Sequence, residues 1–430
     1  MLKIISNNLF KGDKVIWMVF FFLCMISLVE IYSASSSLTY NQGNHWDPML
    51  RQAGFLFVGL IIILITHRIP CKFFKLFPIF LLPTSIILLI YVLFFGGTIN
   101  GGNRWIELGF LSFQPSEIAK AALIMTLAVI LSKTQNEEKI ITHNGDRKTV
   151  IRATKGGYTK AFKFCGGLTL LVCALIFTEN FSTAAILFLV AVIMMFIGNV
   201  PLKLLGKGLL TLGCLGAIAV TTLLITPDAT LGKMGGRPLT WKHRIEKKFV
   251  KSNADKDLLE DFDENRQEYD ANIAIANSKV IGLGPGNSVQ RDFLSHAESD
   301  FIYSIIIEET GLAGGIFVIF LYVILLIRAS KIAQKCDRFF PAFLVMGLSI
   351  MLVTQAFVNM GVAVGMLPVT GQPLPLISKG GTSIIITCFY FGVILSISRY
   401  ADKVSENAEE PVEAISANET DEYFSSAGLE

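Results

Sequence analysis

The chain has 430 residues, of which 52% are hydrophobic and 17% are charged, and its mean hydropathy is +0.57. Soluble domains carry about 25% charged residues, so these values exclude an ordinary cytosolic enzyme as well as a disordered protein. The net charge of +3 is too small to indicate a nucleic-acid partner. The composition instead predicts a protein that lies largely within a membrane.

Ten apolar segments are candidates for membrane-spanning helices, since a helix crosses the bilayer core with about 20 apolar residues. The segments lie at roughly 15–34, 53–67, 76–95, 115–133, 163–178, 181–199, 208–226, 301–328, 340–365 and 382–398. The predicted fold class is therefore all-α, a polytopic membrane protein with ten transmembrane helices.

Basic residues predict the orientation of these spans, because cytoplasmic loops collect Lys and Arg. The basic segments are 1–14, 67–75, 133–163, 200–207 and 328–339. They are the start of the chain and every second connection, so both termini are expected to be cytoplasmic. The segments expected to face outward are 35–52, 96–114, 227–300 and 366–381.

Two parts of the chain differ in polarity. We expect residues 1–403 to form one membrane domain, which includes the large outer loop 227–300. Residues 404–430 are expected to form an acidic, disordered cytoplasmic tail, because Ser405 to Glu430 contains eight acidic residues and no basic one.

Charged residues at the start of the fourth span break the apolar pattern. Pro115 suits the start of a helix, and Lys120 then lies about one turn inside the membrane, where an unpaired Lys is costly. One interpretation is a structural pair between Glu117 and Lys120, which are three residues apart on one helix face. The other is a cation that holds an anionic ligand, joined by Arg104 from the preceding loop.

Acidic residues mark the start of the eighth span. Ser299 and Asp300 are both suited to be a helix N-cap. Alternatively, Asp300 is a carboxylate at the mouth of an outward-facing cavity, where it can act as a general base. Glu308 and Glu309 lie two turns deeper and must be paired or protonated, so they indicate the bundle interior. The glycine-rich segment 282–290 before them indicates a tight backbone path.

The outer segment 366–381 contains three prolines and repeated glycines, which forbid a regular helix. Irregular backbone at membrane depth is tolerated only inside protein or beside a water-filled cavity. We therefore expect this segment to line a cavity. Lys379 puts a cation at its end, although Lys at a membrane interface also serves as a simple anchor.

Four blocks of the sequence resemble the SEDS family (shape, elongation, division and sporulation), which comprises the FtsW and RodA proteins. In chain order they are Ile31-Tyr32-Ser33-Ala34-Ser35, GGNRWIELGFLSFQPSEIAK, GPGNSVQRDFLSHAESDFIYSIIIEETG and QAFVNMGVAVGMLPVTGQPLPLISKGGTS. They are spread from residue 31 to residue 383, over most of the length of the chain, and ten spans with a large outer loop before the eighth are what the family implies. The Gly286-Asn287-Ser288 segment is more similar to division-type FtsW than to RodA.

The resemblance implies a peptidoglycan glycosyltransferase that polymerises lipid II at the outer face of the cytoplasmic membrane, for septal wall synthesis in cell division. The family's essential carboxylate corresponds to Asp300, which would take the proton from an acceptor sugar hydroxyl. Polyprenyl diphosphate leaves, and cations would stabilise its developing charge. The residues expected to bind substrate are Arg104, Glu117, Lys120, Ser378 and Lys379.

The same resemblance implies cofactors and partners. A divalent cation, Mg²⁺ or Mn²⁺, is expected to act mainly through the substrate diphosphate, because the outer loops show no complete set of metal ligands. The implied partners are lipid II, the growing glycan strand, a class B penicillin-binding protein and other division proteins. The implied location is the bacterial cytoplasmic membrane at the division septum.

Two positions depart from the family pattern. The usual Pro-Asp-Leu-Gly-Thr block reads Glu179-Asn180-Phe181-Ser182-Thr183, so Asn180 replaces the usual acid and Glu179 is adjacent. Lys379 replaces a common Tyr and adds a charge beside the expected cavity.

Two other functions stay open from the sequence. A flippase for a lipid-linked precursor would also need polar residues and a broken helix inside a bundle. It would line both halves of the membrane with polar groups, whereas here they cluster on the outer side. A non-catalytic scaffold for division proteins would tolerate Asp300→Asn.

Overall fold

The computed structural model describes residues 10–34, 46–95, 97–99, 102–108, 111–141, 147–153, 157–226, 258–294 and 297–426. The helices are α1 (Lys14–Ala34), α2 (Asp47–Thr66), α3 (Phe77–Phe95), α4 (Pro115–Lys133), α5 (Gly157–Phe177), α6 (Phe181–Ile197), α7 (Leu202–Ile225), α8 (Leu258–Asn277), α9 (Ile302–Lys335), α10 (Phe339–Ala363) and α11 (Gly381–Ser426). Short 3₁₀ turns occupy Cys71–Lys75 and Gln290–Asp292.

The all-α fold class is confirmed for the membrane bundle. Eight helices in the described part of the chain are long and apolar enough to cross a membrane. The apolar helix α6 is shorter, with 17 residues, and α7 has 24 residues. Each of the ten predicted spans coincides with one helix, while the number of crossings and the cytoplasmic position of the termini stay predictions.

Three helices begin six residues before the predicted spans, namely α2 at Asp47, α5 at Gly157 and α7 at Leu202. Their first turns contain polar or basic residues, at which an apolar run ends. Helical hydrogen bonding continues through the polar headgroup region, which adds roughly 10–15 Å to the apolar thickness. Hydropathy therefore located these helices and placed their starts too late.

Two connections form small antiparallel sheets that the sequence analysis did not anticipate. Strands β1 (Gly97–Ile99), β2 (Gly102–Leu108) and β3 (Leu111–Phe113) form one sheet between α3 and α4. In it Ile99 pairs with Gly102, and Leu108 pairs with Leu111. The hairpin of β4 (Gln135–Ile141) and β5 (Arg147–Ala153) joins α4 to α5.

Helix α11 continues from its apolar part into the acidic segment and ends at Ser426. The division of the chain into a membrane domain and a disordered tail stays a prediction. The predicted loop 227–300 is described from Leu258 onward, where α8 begins, and its earlier residues lie outside the described part of the chain.

Helices α4 and α10 lie at the centre of the bundle, where most of their side chains are buried. Association of helices in lipid depends on close packing rather than on the hydrophobic effect. Gly347 of α10 makes this possible, because a Cβ there would lie 2.7 Å from the Met194 sulfur of α6 and 2.8 Å from Ile124 of α4. A larger residue at this position would therefore force Met194 and Ile124 to shift.

Helix α9 is broken at Gly311, which has a positive φ of 75°. The segment before α9 fits into this break: the N–H groups of Leu283 and Gly284 donate to the carbonyl oxygens of Glu308 and Glu309 at 3.0 and 2.8 Å. These bonds satisfy carbonyls that the break leaves unpaired. The glycine-rich segment is therefore fixed against α9, as its tight backbone path predicted.

Candidate active site

Asp300 lies in the turn that leads into α9, and it is half-buried. Helix α9 begins at Ile302 with Phe301 as its N-cap and with no side-chain cap hydrogen bond. Phe301, rather than Ser299 or Asp300, therefore occupies the N-cap position of α9. A Cβ at Gly371 would lie 3.9 Å from Asp300 Oδ2, which places the carboxylate beside the proline-rich segment.

Asn359 of α10 connects the Asp300 turn to the proline-rich segment. Its Nδ2 donates to the carbonyl oxygen of Asp300 at 2.9 Å and to that of Gln372 at 2.8 Å. Asn359 Oδ1 is buried and has no hydrogen-bond partner among the described residues. The amide therefore fixes two backbone segments, and its buried oxygen is a place for an ordered water.

Lys120 reaches the same face of α10. Its Nζ lies 2.7 Å from Glu117 Oε1 and donates to Gln355 Oε1 at 3.1 Å, while Gln355 Nε2 donates to the carbonyl oxygen of Pro373 at 3.0 Å. Gln355 and Asn359 are one helical turn apart, so their side chains lie on one face. One turn of α10 thus links the buried cation to the segment beside Asp300.

The predicted pair between Glu117 and Lys120 is present, and both side chains are almost completely buried. Lys120 is bonded within the protein, so this conformation gives it a supporting position rather than a surface open to a ligand. An ion pair this deep in the bundle is stable only when its remaining hydrogen bonds are satisfied. Gln355 provides such a bond.

The segment 366–381 is irregular and partly buried, as its prolines and glycines predicted. Ser378 Oγ donates to the carbonyl oxygen of Ser299 at 2.6 Å and accepts from the N–H of Leu374 at 2.7 Å. The hydroxyl of Tyr322 donates to the carbonyl oxygen of Pro375 at 2.6 Å. Ser378 is therefore a buried brace between the Asp300 turn and this segment.

Lys379 is exposed and pairs with Glu298, with 3.4 Å between Nζ and Oε1. Its N–H donates to the carbonyl oxygen of Glu298 at 2.9 Å. The structure therefore places a cation next to the Asp300 turn, because its partner Glu298 lies two residues before Asp300 in the sequence. Arg104 lies in β2, and its side chain is outside the described part of the chain.

Glu308 and Glu309 are fully buried, as predicted, and both are satisfied by the glycine-rich segment. Four backbone N–H groups within residues 286–290 donate to the two carboxylates at 2.9 to 3.3 Å. The hydroxyls of Ser33 and Ser288 donate to them as well. Hydrogen bonds from N–H groups stabilise buried carboxylates, so this pair holds the outer loop against α9.

Asn180 has a structural role at the start of α6. Its side chain accepts hydrogen bonds from the N–H groups of Ser182 and Thr183 at 3.1 and 3.3 Å. This is the N-cap arrangement that Asn and Asp provide about equally well. The replacement of the family's usual Asp by Asn180 therefore preserves the cap and removes a charge.

No group of three or more His, Cys, Asp or Glu side chains in the described residues is arranged to hold a metal ion. Near Asp300, the carboxylate of Glu298 is already paired with Lys379. This donor set does not fit a resident metal. An ion at this site would need most of its ligands from a bound substrate.

The sequence analysis did not single out Gln355, Asn359 or Gln372 as site residues. Gln372 Nε2 donates to Thr183 Oγ1 at 2.8 Å and connects the site to α6. The available signal was the pair of amides spaced four residues apart on the otherwise apolar α10, because polar side chains inside a membrane are costly and face the bundle interior.

Comparison with known proteins identifies a family for this architecture. Residues 13–403 match the family described as "Cell cycle protein", which groups FtsW, RodA and SpoVE. The chain is 31% identical over 393 residues to the "Probable peptidoglycan glycosyltransferase FtsW" of Haemophilus influenzae, and the match covers 90% of each chain.

Two solved structures have the same fold. One is described as "Structural coordination of polymerization and crosslinking by a peptidoglycan synthase complex"; it has a TM-score of 0.68 and 25% identity, and it covers 91% of this chain and 98% of the other. The second, the rod shape determining protein RodA of Thermus thermophilus, has a TM-score of 0.61 and 23% identity, covering 91% and 98% of the two chains.

Proposed function

The chain belongs to the FtsW/RodA/SpoVE family of cell cycle proteins, and from this premise we propose that it is a peptidoglycan glycosyltransferase of the division type. It polymerises lipid II and releases polyprenyl diphosphate. The observation that carries the proposal is the position of Asp300: a half-buried residue in the turn before α9, held through its backbone carbonyl by Asn359 of α10 and with its carboxylate beside the proline-rich segment.

Asp300 acts as the general base in this proposal. The acceptor is a sugar hydroxyl, which is a poor nucleophile until its proton is removed, and a carboxylate within hydrogen-bond reach can take that proton. The oxygen then attacks the anomeric carbon of the donor chain, and the bond to the diphosphate breaks. Diphosphate leaves without protonation, so no second acid is needed, in contrast to glycoside hydrolysis.

The buried amides act as positioning residues for this step. Asn359 holds the backbone of Asp300, while Gln355 holds Pro373 and is itself bonded to Lys120. A misplacement of about 1 Å is enough to lower a rate roughly 100-fold. Lys120 and Glu117 therefore support the site from within the bundle, and Ser378 braces the same segment.

Charge on the departing diphosphate is stabilised by cations near Asp300. Lys379 is the exposed cation beside the Asp300 turn, and Arg104 belongs to the loop that precedes α4. A divalent cation, Mg²⁺ or Mn²⁺, would neutralise diphosphate oxygens, with most of its ligands supplied by the substrate.

The proposed partner is a class B penicillin-binding protein, which would crosslink the new glycan strand. Support comes from the solved synthase complex, whose description joins polymerisation with crosslinking. The proposed location is the bacterial cytoplasmic membrane at the division septum, together with other division proteins.

The test is polymerisation of purified lipid II by the full-length protein, with and without a transpeptidase-inactive class B partner and with Mg²⁺ or Mn²⁺. Glycan strands of many units are the expected product. Asp292→Asn is a matched control for Asp300→Asn, because Asp292 is an exposed acid in the same outer loop. If no glycan forms while the bound partner and an unrelated polymerase are active in the same assay, the proposal is wrong.

A further inference from the structure

Helices α5, α6 and α7 enclose a groove on the side of the bundle that shares no lining residue with the Asp300 site. Its volume is about 270 Å³. The lining residues run from Phe162 to Leu170 on α5 and from Leu205 to Leu212 on α7, which corresponds to roughly 10–12 Å of helix. Most of them are apolar, so the groove suits an apolar chain.

Lysines occur in the first turns of the helices that form this groove. Lys163 lines it directly, Lys160 precedes Lys163 by one turn, and Lys207 adjoins the lining residue Gly208, with Lys203 one turn earlier. The starts of α5 and α7 lie on the same side of the membrane, because α6 connects the two helices. All four lysines are exposed, and no ion pair of theirs occurs within the described ranges.

The exposure of α7 indicates that protein covers the groove incompletely. Among the described side chains of α7, only Leu205 is buried. Helix α7 therefore leaves apolar surface beside the groove that another molecule must cover.

We propose that this groove binds one anionic phospholipid, with an acyl chain between α5, α6 and α7 and its phosphate at Lys163 and Lys207. A cationic rim on an apolar groove matches an amphiphile with a negative head. The general enrichment of Lys in cytoplasmic loops explains basic ends of helices, but it does not require that a Lys line an apolar groove.

Two sets of variants distinguish the contribution of the lipid's acyl chain to binding from that of its head group. Gly166 lines the groove, and no atom lies within 4 Å of the position of an added Cβ, so Gly166→Leu adds a side chain at a position with open space around its Cβ. Leu also favours helix over Gly. Gly216→Leu is the matched control, because its surroundings on α7 are equally open and it lies outside the groove. To test the phosphate contacts, the double variant Lys163→Gln/Lys207→Gln is compared with the control Lys331→Gln on α9.

The experiment is native mass spectrometry of the full-length protein titrated with dioleoylphosphatidylglycerol or dioleoylphosphatidylcholine. We expect a single bound phosphatidylglycerol, weaker binding of phosphatidylcholine, and a loss of affinity of about fivefold for each lysine removed. Gly166→Leu should abolish the adduct, while Gly216→Leu and Lys331→Gln should bind as the wild type does.

Three results would overturn the proposal. Unchanged binding by Gly166→Leu would exclude the groove as the site. Equal losses in the control variants would reduce the effect to general attraction between lysines and an anionic lipid. Equal affinity for the two lipids would remove the role of the phosphate contacts.

Discussion

Replacement of Asn359 by Leu tests whether α10 positions the general base. The amide makes two bonds to backbone carbonyls, at 2.9 Å to Asp300 and 2.8 Å to Gln372, and it is buried. Each carbonyl left without a partner costs about 1–3 kcal/mol, so Asn359→Leu should weaken the local structure by about 2–6 kcal/mol. General-base catalysis contributes about 10²–10⁴ in rate. Turnover should therefore fall by at least about tenfold and by at most about 10⁴-fold.

The decisive assay is a double-mutant cycle of single-turnover lipid II polymerisation. If Asn359 acts through Asp300, Asn359→Leu should slow the wild type and leave the residual rate of Asp300→Asn unchanged. Ser349→Ala is the control on the same helix, since Ser349 Oγ is buried without a hydrogen-bond partner in the described ranges. An equal reduction by Asn359→Leu in both backgrounds would refute the reasoning.

Three further predictions concern the support of the site. Lys120→Met should destabilise the protein by about 3–5 kcal/mol, because it leaves Glu117 buried and unpaired, and the added Glu117→Gln should recover most of the loss in thermal unfolding. Gly311→Ala should abolish folded protein in size-exclusion profiles, since its Cβ would lie 2.2 Å from the carbonyl oxygen of Val280. Gly286 is the control, because it also has a positive φ but an added Cβ meets no atom within 4 Å. Gly286→Ala should fold, with a reduced Tm. Burial, together with nearby arginines, lowers the pKa of His67. The unfolded chain therefore binds a proton at this residue more readily than the folded protein does, so Tm should fall as the pH drops through about 6.5. His67→Phe should make Tm less dependent on pH.

The membrane bundle was largely predictable because each span has to be apolar over a length fixed by the bilayer. Asp300, Glu308 and Glu309 were also recognisable, since an acid inside or at the edge of an apolar segment is costly without a reason. The break at Gly311 was not, because it depends on a segment about 30 residues earlier that donates its N–H groups to the unpaired carbonyls.

The roles of the individual site residues depended on tertiary contacts. Lys120 looked like a ligand-binding cation, but its partner Gln355 is more than 200 residues away in sequence, and this bond places it in a supporting position. Ser378, which we expected to contact substrate, also braces the Asp300 turn, and its contact with substrate stays a prediction. Sequence spacing predicted the pair of Lys120 with Glu117, whereas long-range bonds decided what the pair supports.

The central claim is that Asp300 removes the proton of the acceptor sugar, and its most direct test separates binding from turnover in Asp300→Asn. The purified full-length protein, with its class B partner, would be assayed for lipid II binding and for glycan formation. The account predicts binding close to that of the wild type and a rate lowered about 100-fold or more. Glycan formation within a few fold of the wild-type rate, with binding unchanged, would contradict it.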